Sequence, residues 1–180
     1  MNCIYMIAIA VLVGCTSIGE IQKKSLNNTG NNLVKNGEFS ETMKDWLIIG
    51  EGINHYHPED PGRASFSIED GILKVKIINP GISIWSIMLY QSIDFVKGHT
   101  YTISFDAKSE EQTTLVSNIV QDTTWINYSG DHTFVLSGSM KTYSYEYVAS
   151  KNITALFQLC VGNDQATSIY LDNVLIIEKK

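Results

Sequence analysis

The sequence predicts an all-β protein, an antiparallel β-sandwich or jelly roll, and three observations carry that expectation. Apolar and polar residues alternate with a period of two through most of the apolar segments, which is the mark of half-buried strands. Gly, Asn, Asp and Ser punctuate the gaps, as in VKGHT, NYSGD and VGND, where chain reversals need small or turn-forming residues. No amphipathic stretch of ten or more residues follows a helical period. The 180 residues suit one domain with a real core, and 44% hydrophobic against 18% charged residues is a globular composition. A net charge of −6, with no cluster of Lys and Arg, argues against nucleic acid as a partner.

The elements follow in chain order. Residues 1–15, MNCIYMIAIAVLVGC, form an apolar run, too short for a bilayer span of about 20 residues. The run fits the apolar region of a secretory signal peptide. Its end, Leu12-Val13-Gly14-Cys15, resembles a bacterial lipobox, which implies a lipid-modified Cys15 and an exported, membrane-anchored protein facing the cell surface or periplasm. The first six residues carry no Lys or Arg, a departure that leaves an uncleaved anchor or a misassigned start codon as the alternative. With Cys3 removed and Cys15 acylated, Cys160 stands alone, so no internal disulfide is expected. Residues 16–32, TSIGEIQKKSLNNTGNN, are polar and Asn-rich, as suits a flexible linker. The sandwich is expected over residues 33–180.

Seven strands are read from the pattern: 72–78, 83–93, 100–107, 114–121, 142–149, 153–161 and 168–177. In 100–107, Tyr101, Ile103, Phe105 and Ala107 oppose Thr102, Ser104 and Asp106. In 153–161, inward Ala155, Phe157 and Leu159 leave Gln158 and Cys160 on the other face. In 114–121, Ser117, Ile119 and Gln121 oppose Asn118 and Val120. Met88 and Tyr90 oppose Ile87 and Leu89. Trp46 and the series Tyr143, Tyr145 and Tyr147 are assigned to inward packing.

The sequence offers little for catalysis. Glycoside hydrolysis needs two carboxylates facing one cleft. Glu59-Asp60, Glu69-Asp70 and Glu110-Glu111 are adjacent pairs, and neighbouring strand residues point to opposite faces. His55 and His57 could begin a zinc site, but no third ligand or general base is evident. No nucleophile elbow and no phosphate-binding Gly loop occurs.

Five segments carry a resemblance: NLVKNGEFSETMKDW (32–46), WSIMLYQ (85–91), VKGHTYTISFDAKSE (96–110), ALFQLCVG (155–162) and IYLDNVLI (169–176). Their order and spacing resemble the carbohydrate-binding modules of the 4/9/16/22 superfamily, the CenC-type domains, over about 32–177. The resemblance implies a non-catalytic jelly roll that binds a polysaccharide or oligosaccharide in a groove on one sheet. Such modules accompany glycoside hydrolases, so a separate hydrolase is the implied partner. Sugar rings present apolar faces and hydroxyls, and a groove for them needs flat rings, amides and carboxylates.

By that resemblance Trp85 and Trp125 take the family's aromatic positions. The expected ligand surface is Trp85, Tyr90, Gln121, Trp125, Tyr128 and Gln158. The parity of Trp85 with Ile87 and Leu89 points to the core, unless a bulge at Ser86 turns it outward. For Tyr128, core and groove both stay open. The family's structural calcium would draw on Glu38 through its carbonyl, on Asp70 or Glu69 at a turn, and on Asp172. Ser40 stands where the family often has Glu, which weakens that site. Two rivals to carbohydrate binding stay open, a structural or protein-binding surface lipoprotein and a hydrolase acting on glycosyl bonds.

Overall fold

The computed structural model describes residues 31–40, 42–52 and 57–179. The signal-like segment, Cys15 and nearly all of the linker lie outside the described residues. Ten strands run in order: β1 (Leu47–Ile49), β2 (Arg63–Glu69), β3 (Ile72–Asn79), β4 (Met88–Phe95), β5 (Thr100–Ser109), β6 (Thr113–Val120), β7 (His132–Leu136), β8 (Lys141–Val148), β9 (Ile153–Cys160) and β10 (Ser168–Glu178). They form two five-stranded sheets, ordered β1-β4-β9-β6-β7 and β2-β3-β10-β5-β8. Every pairing is antiparallel. The fold is the expected β-sandwich.

The period-two pattern builds the core. Tyr101, Ile103, Phe105 and Ala107 of β5 face inward at 1% exposure or less. Ala155, Phe157 and Leu159 of β9 meet them from the other sheet. Each fully buried ring or branched chain is worth about 1.5–3 kcal/mol. In β10 the register against β5 shifts between Asp172 and Leu175, so the inward positions pass from Ile169 and Leu171 to Val174 and Ile176. Trp46 is buried as expected, stacked on Phe39 with centroids 5.5 Å apart. Its Nε1 donates to the Asn36 carbonyl at 3.0 Å. Tyr147 is buried, and Tyr143 and Tyr145 pack against the core from partly exposed positions.

Three strands escape the sequence pattern. β1 is only three residues long. β2 and β7 alternate, but the outer positions of β2 are Arg63, Ser65, Ser67 and Glu69, and β7 is only five residues long with His132 on its inner side, so neither shows a long apolar run. The segment 83–93 is not one strand. A 3-10 turn at Ile84–Ser86 precedes β4. The linker boundary also moves by one residue, because Asn32 belongs to the sandwich. Asn32 bridges Ile177, its Oδ1 accepts from the Val34 and Ile176 amides at 3.1 and 2.9 Å, and its Nδ2 donates to the Val174 carbonyl at 3.1 Å.

Buried Gln91 ties the same N-terminal segment to the other sheet. Its Oε1 accepts from the Lys35 amide at 3.1 Å and its Nε2 donates to the Lys35 carbonyl at 2.7 Å. Gly37 is required beneath this strap, since a Cβ there would lie 2.1 Å from the Val174 carbonyl oxygen. Gly37→Ala should therefore lower the free energy of unfolding by about 1–3 kcal/mol. A urea melt checks this, and a wild-type midpoint would show that the strap does not need the close approach.

Candidate functional site

The outer face of the first sheet carries three rows across the strands, set by register. Ile49, Met88, Cys160 and Val116 make one row. Leu47, Tyr90, Gln158 and Asn118 make the next. Ser92, Leu156 and Val120 make the third, and Val120 bridges Asn127. The middle row is thus the polar one, flanked on both sides by rows that are mostly apolar. Met88, Val116 and Cys160 form a small buried cluster with Ile49, Ile84, Trp85 and Tyr90 packed on it. Burial there pushes the Cys160 thiol up to about 12, so it is an inert apolar group at neutral pH.

Over these rows lies a cleft of about 560 Å³. Its floor is Ile49, Met88, Val120, Asn118 and Gln158. His57, Ile84 and Trp85 line it beside β4, and Trp125, Asn127 and Asp131 line it beside β6. β9 separates those two strands, which sets the supporting strands about 10 Å apart.

Trp85 reaches the cleft because the chain turns before β4. Ser86 Oγ donates to Asp60 Oδ2 at 2.5 Å and accepts from the Ser83 amide at 2.9 Å. Asp60, itself buried, accepts at Oδ1 from the Gly62 amide at 2.9 Å. Gly81 has φ +76°, and a Cβ on it would come within 2.3 Å of Ser86 Cβ. The turn, rather than a bulge, frees Trp85 from the parity of Ile87 and Leu89. Its ring packs on His57 with centroids 4.4 Å apart.

Trp125 sits in the loop after β6, 48% exposed, with φ +57°. A non-glycine residue in that region costs about 1–3 kcal/mol. Its amide donates to the Gln121 carbonyl at 3.0 Å, and the Gln121 amide donates to the Ile126 carbonyl at 2.9 Å. This tight loop holds the ring at the rim.

The polar groups are ordered from beneath. Asp131 Oδ1 accepts from Asn118 Nδ2 at 2.8 Å and from Asn127 Nδ2 at 2.7 Å. Asn118 Oδ1 and Gln158 Nε2 are buried and have no hydrogen-bond partner. Unmet buried polar atoms cost about 1–3 kcal/mol each. They are one acceptor and one donor on paired residues of neighbouring strands.

The structure brings Trp85, Trp125 and Gln158 of the expected surface into this one cleft. Tyr90 lies in the polar row beside Gln158 and packs on the floor cluster. Gln121 and Tyr128 are elsewhere. Gln121 follows the inward parity of Ser117 and Ile119, and its Oε1 accepts from the Tyr128 hydroxyl at 2.6 Å. Tyr128 packs against the main core, with Lys151 Nζ 4.6 Å from its ring centroid. Asn118, on the opposite parity, takes the floor position expected of Gln121. Asn127, Asp131 and His57 were invisible as cleft residues, since two belong to a loop and one precedes a turn. The polar Asn118 inside an apolar strand was the available signal.

The calcium residues share one end of the second sheet. Leu171 pairs with Leu73, next to the Asp70–Gly71 turn, and the Val174 amide donates to the Gly37 carbonyl. Glu38 and Asp70 are exposed, while Asp172 is buried with Oδ1 accepting from the Asn173 amide at 2.8 Å. Among the described residues no group of three or more His, Cys, Asp or Glu is placed to hold a metal ion. These carboxylates therefore form no ligand cluster, and an ion there would depend on backbone carbonyls such as that of Glu38. His57 Nδ1 lies 3.4 Å from Glu59 Oε1, and His55 is outside the described residues. Asp131 is the only carboxylate among the described residues lining the cleft, one fewer than glycoside hydrolysis requires.

Residues 31–165 match the carbohydrate binding domain family. A solved CBM4 domain is similar, with 27% identity and a TM-score of 0.72 over 81% of this chain and 99% of that one. The second N-terminal cellulose-binding domain of Cellulomonas fimi β-1,4-glucanase C has 15% identity and a TM-score of 0.63, covering 86% of this chain and 98% of its own. A family 11 carbohydrate-binding module from Clostridium thermocellum, solved with a β-1,3-1,4-mixed-linked tetrasaccharide, has 14% identity and a TM-score of 0.52 over 82% and 95%. At such identities the last two show a shared fold. No curated protein sequence matches the chain.

The Asp60–Ser86 bond gives a test of how Trp85 is held. Ser86→Ala leaves the buried Asp60 short of a donor and should cost about 1–3 kcal/mol in chemical denaturation. Acrylamide quenching of Trp fluorescence should rise with it. No change in either would mean that backbone bonds alone hold the turn.

Proposed function

The chain belongs to the carbohydrate binding domain family, a non-catalytic one, and from that premise we propose that it holds a polysaccharide in the cleft between Trp85 and Trp125. One observation carries the reading. Two indole rings flank a cleft whose lining sets the polar side chains Asn118, Asn127, Asp131 and Gln158 among apolar ones. A sugar supplies what this arrangement needs. Its apolar ring face stacks on an indole. Its hydroxyls meet the polar groups at the rim of the cleft, the amide of Asn127 and the exposed carboxylate of Asp131.

Each stacked ring contributes about 1–3 kcal/mol by analogy with base stacking, so micromolar to millimolar affinity is expected. Strands fix the floor, whereas loops carry both indoles. In this reading Cys15 is the lipid attachment site, and the domain works at the cell surface beside a separate glycoside hydrolase.

Calorimetric titration of the full chain with cello-, xylo- and mixed-linkage oligosaccharides tests the binding. Trp125→Ala should weaken it about tenfold, roughly 1.4 kcal/mol, at unchanged thermal stability, because the ring is half exposed. Retained affinity in that variant would remove Trp125 from the site. For the anchor, Cys15→Ser should abolish metabolic labelling by a fatty acid in bacterial cells, and persistent label would place the lipid elsewhere.

A further inference from the structure

The charge balance of the cleft is one-sided. Asp131 is the sole carboxylate among the described lining residues, and no Lys or Arg accompanies it. Among the described lining residues His57 is the only side chain able to become a cation, and its Nδ1 lies 3.4 Å from Glu59 Oε1. Asn118 and Asn127 both donate to Asp131 Oδ1. Oδ2 accepts no hydrogen bond among the described residues. Two neutral amides fix the carboxylate without cancelling its charge. Beneath it, Asn118 Oδ1 is a buried acceptor and Gln158 Nε2 a buried donor, neither with a partner among the described residues. Among the described lining residues, Asp131 is thus a negative charge with no Lys or Arg beside it.

We propose that Asp131 is a specificity-determining residue, which makes the cleft admit uncharged polysaccharides and reject polyuronates. The inference rests on the cleft being a glycan site, and adds the charge class of the glycan. A neutral chain presents hydroxyl donors to Asp131. A uronic acid brings a second carboxylate beside the exposed Asp131, where like charges about 5 Å apart repel.

The physics separates charge from positioning. Asp131→Asn keeps an oxygen to accept from Asn118 and Asn127, but removes the charge. Asp131→Ala removes both. Asp122→Asn removes a charge from the same exposed loop outside the cleft lining, and controls for the net charge of −6. The experiment is calorimetric titration of the full chain and each variant with a neutral β-glucan oligosaccharide and with oligogalacturonate of matched length, at low and high ionic strength.

The wild type should bind the neutral oligomer and favour it at least about tenfold. Asp131→Asn should keep the neutral affinity and narrow the preference about fivefold at low salt, with the narrowing fading near 0.5 M, where about 4 Å of screening remains. Asp131→Ala should also lose neutral affinity, as the two amides lose their common acceptor. Equal binding of both oligomers by the wild type overturns the inference and leaves the glycan site standing. So does a preference that Asp131→Asn leaves unchanged, or that Asp122→Asn narrows as much. Binding of neither oligomer overturns the glycan reading and the inference with it.

Discussion

The cleft depends on one buried hydrogen bond, from Ser86 to Asp60. Without it the apolar run from Ile82 to Ile93 has every reason to continue as a strand. With it the chain closes a 3-10 turn, and the ring of Trp85 leaves the core side for the outer face. The bond is feasible because glycines surround it. Gly62 and Gly81 both pass so close to Ser86 that a side chain on either would collide with it. Buried carboxylates are expensive unless fully bonded, and Asp60 is met on both oxygens. A cost taken at one point therefore fixes a ring that local propensity would place elsewhere.

Much of the fold was legible because β5 and β9 alternate cleanly, and each buries one face under the opposite sheet. β6 was harder. Almost all of its residues are buried on both faces, since loop and cleft residues cover its outer side. Its parity could be read, but which parity was outward could not, and Gln121 was preferred to Asn118 on that account. Trp125 was legible as a ring in a turn. Its left-handed backbone was not, because nothing in Trp chemistry favours φ of +57°. Trp85 was the balanced case, and its outcome turned on the bond from Ser86 to Asp60, twenty-six residues distant. Edge strands β2 and β7 lacked the apolar signal because one face of each meets water.

The site divides its labour between two kinds of backbone. Strand residues of β1, β4, β6 and β9 supply the floor, held by ladder register, while loops supply the rings and the carboxylate. Asp131 links the two parts, since its one oxygen binds Asn118 of β6 and Asn127 of the loop. The loop that displays Trp125 is thereby registered to the floor. Solved domains of this architecture differ widely in sequence, with 15% and 14% identity in the two more distant ones compared. A core needs only size and pattern to persist through such change, whereas a loop can be rewritten without touching it.

Asn32 has a mechanical consequence. Tension drawn along the N-terminal segment meets this residue before any other tie to the sandwich described above. Its side chain and bridge deliver the load to Val174, Ile176 and Ile177 of β10, the central strand of the sheet that does not carry the cleft. The clamp from Gln91 to Lys35, which leads to the cleft-bearing sheet, lies further along the chain and is shielded until Asn32 yields. A pull on the N-terminal segment therefore loads the back of the sandwich before the face with the two indoles.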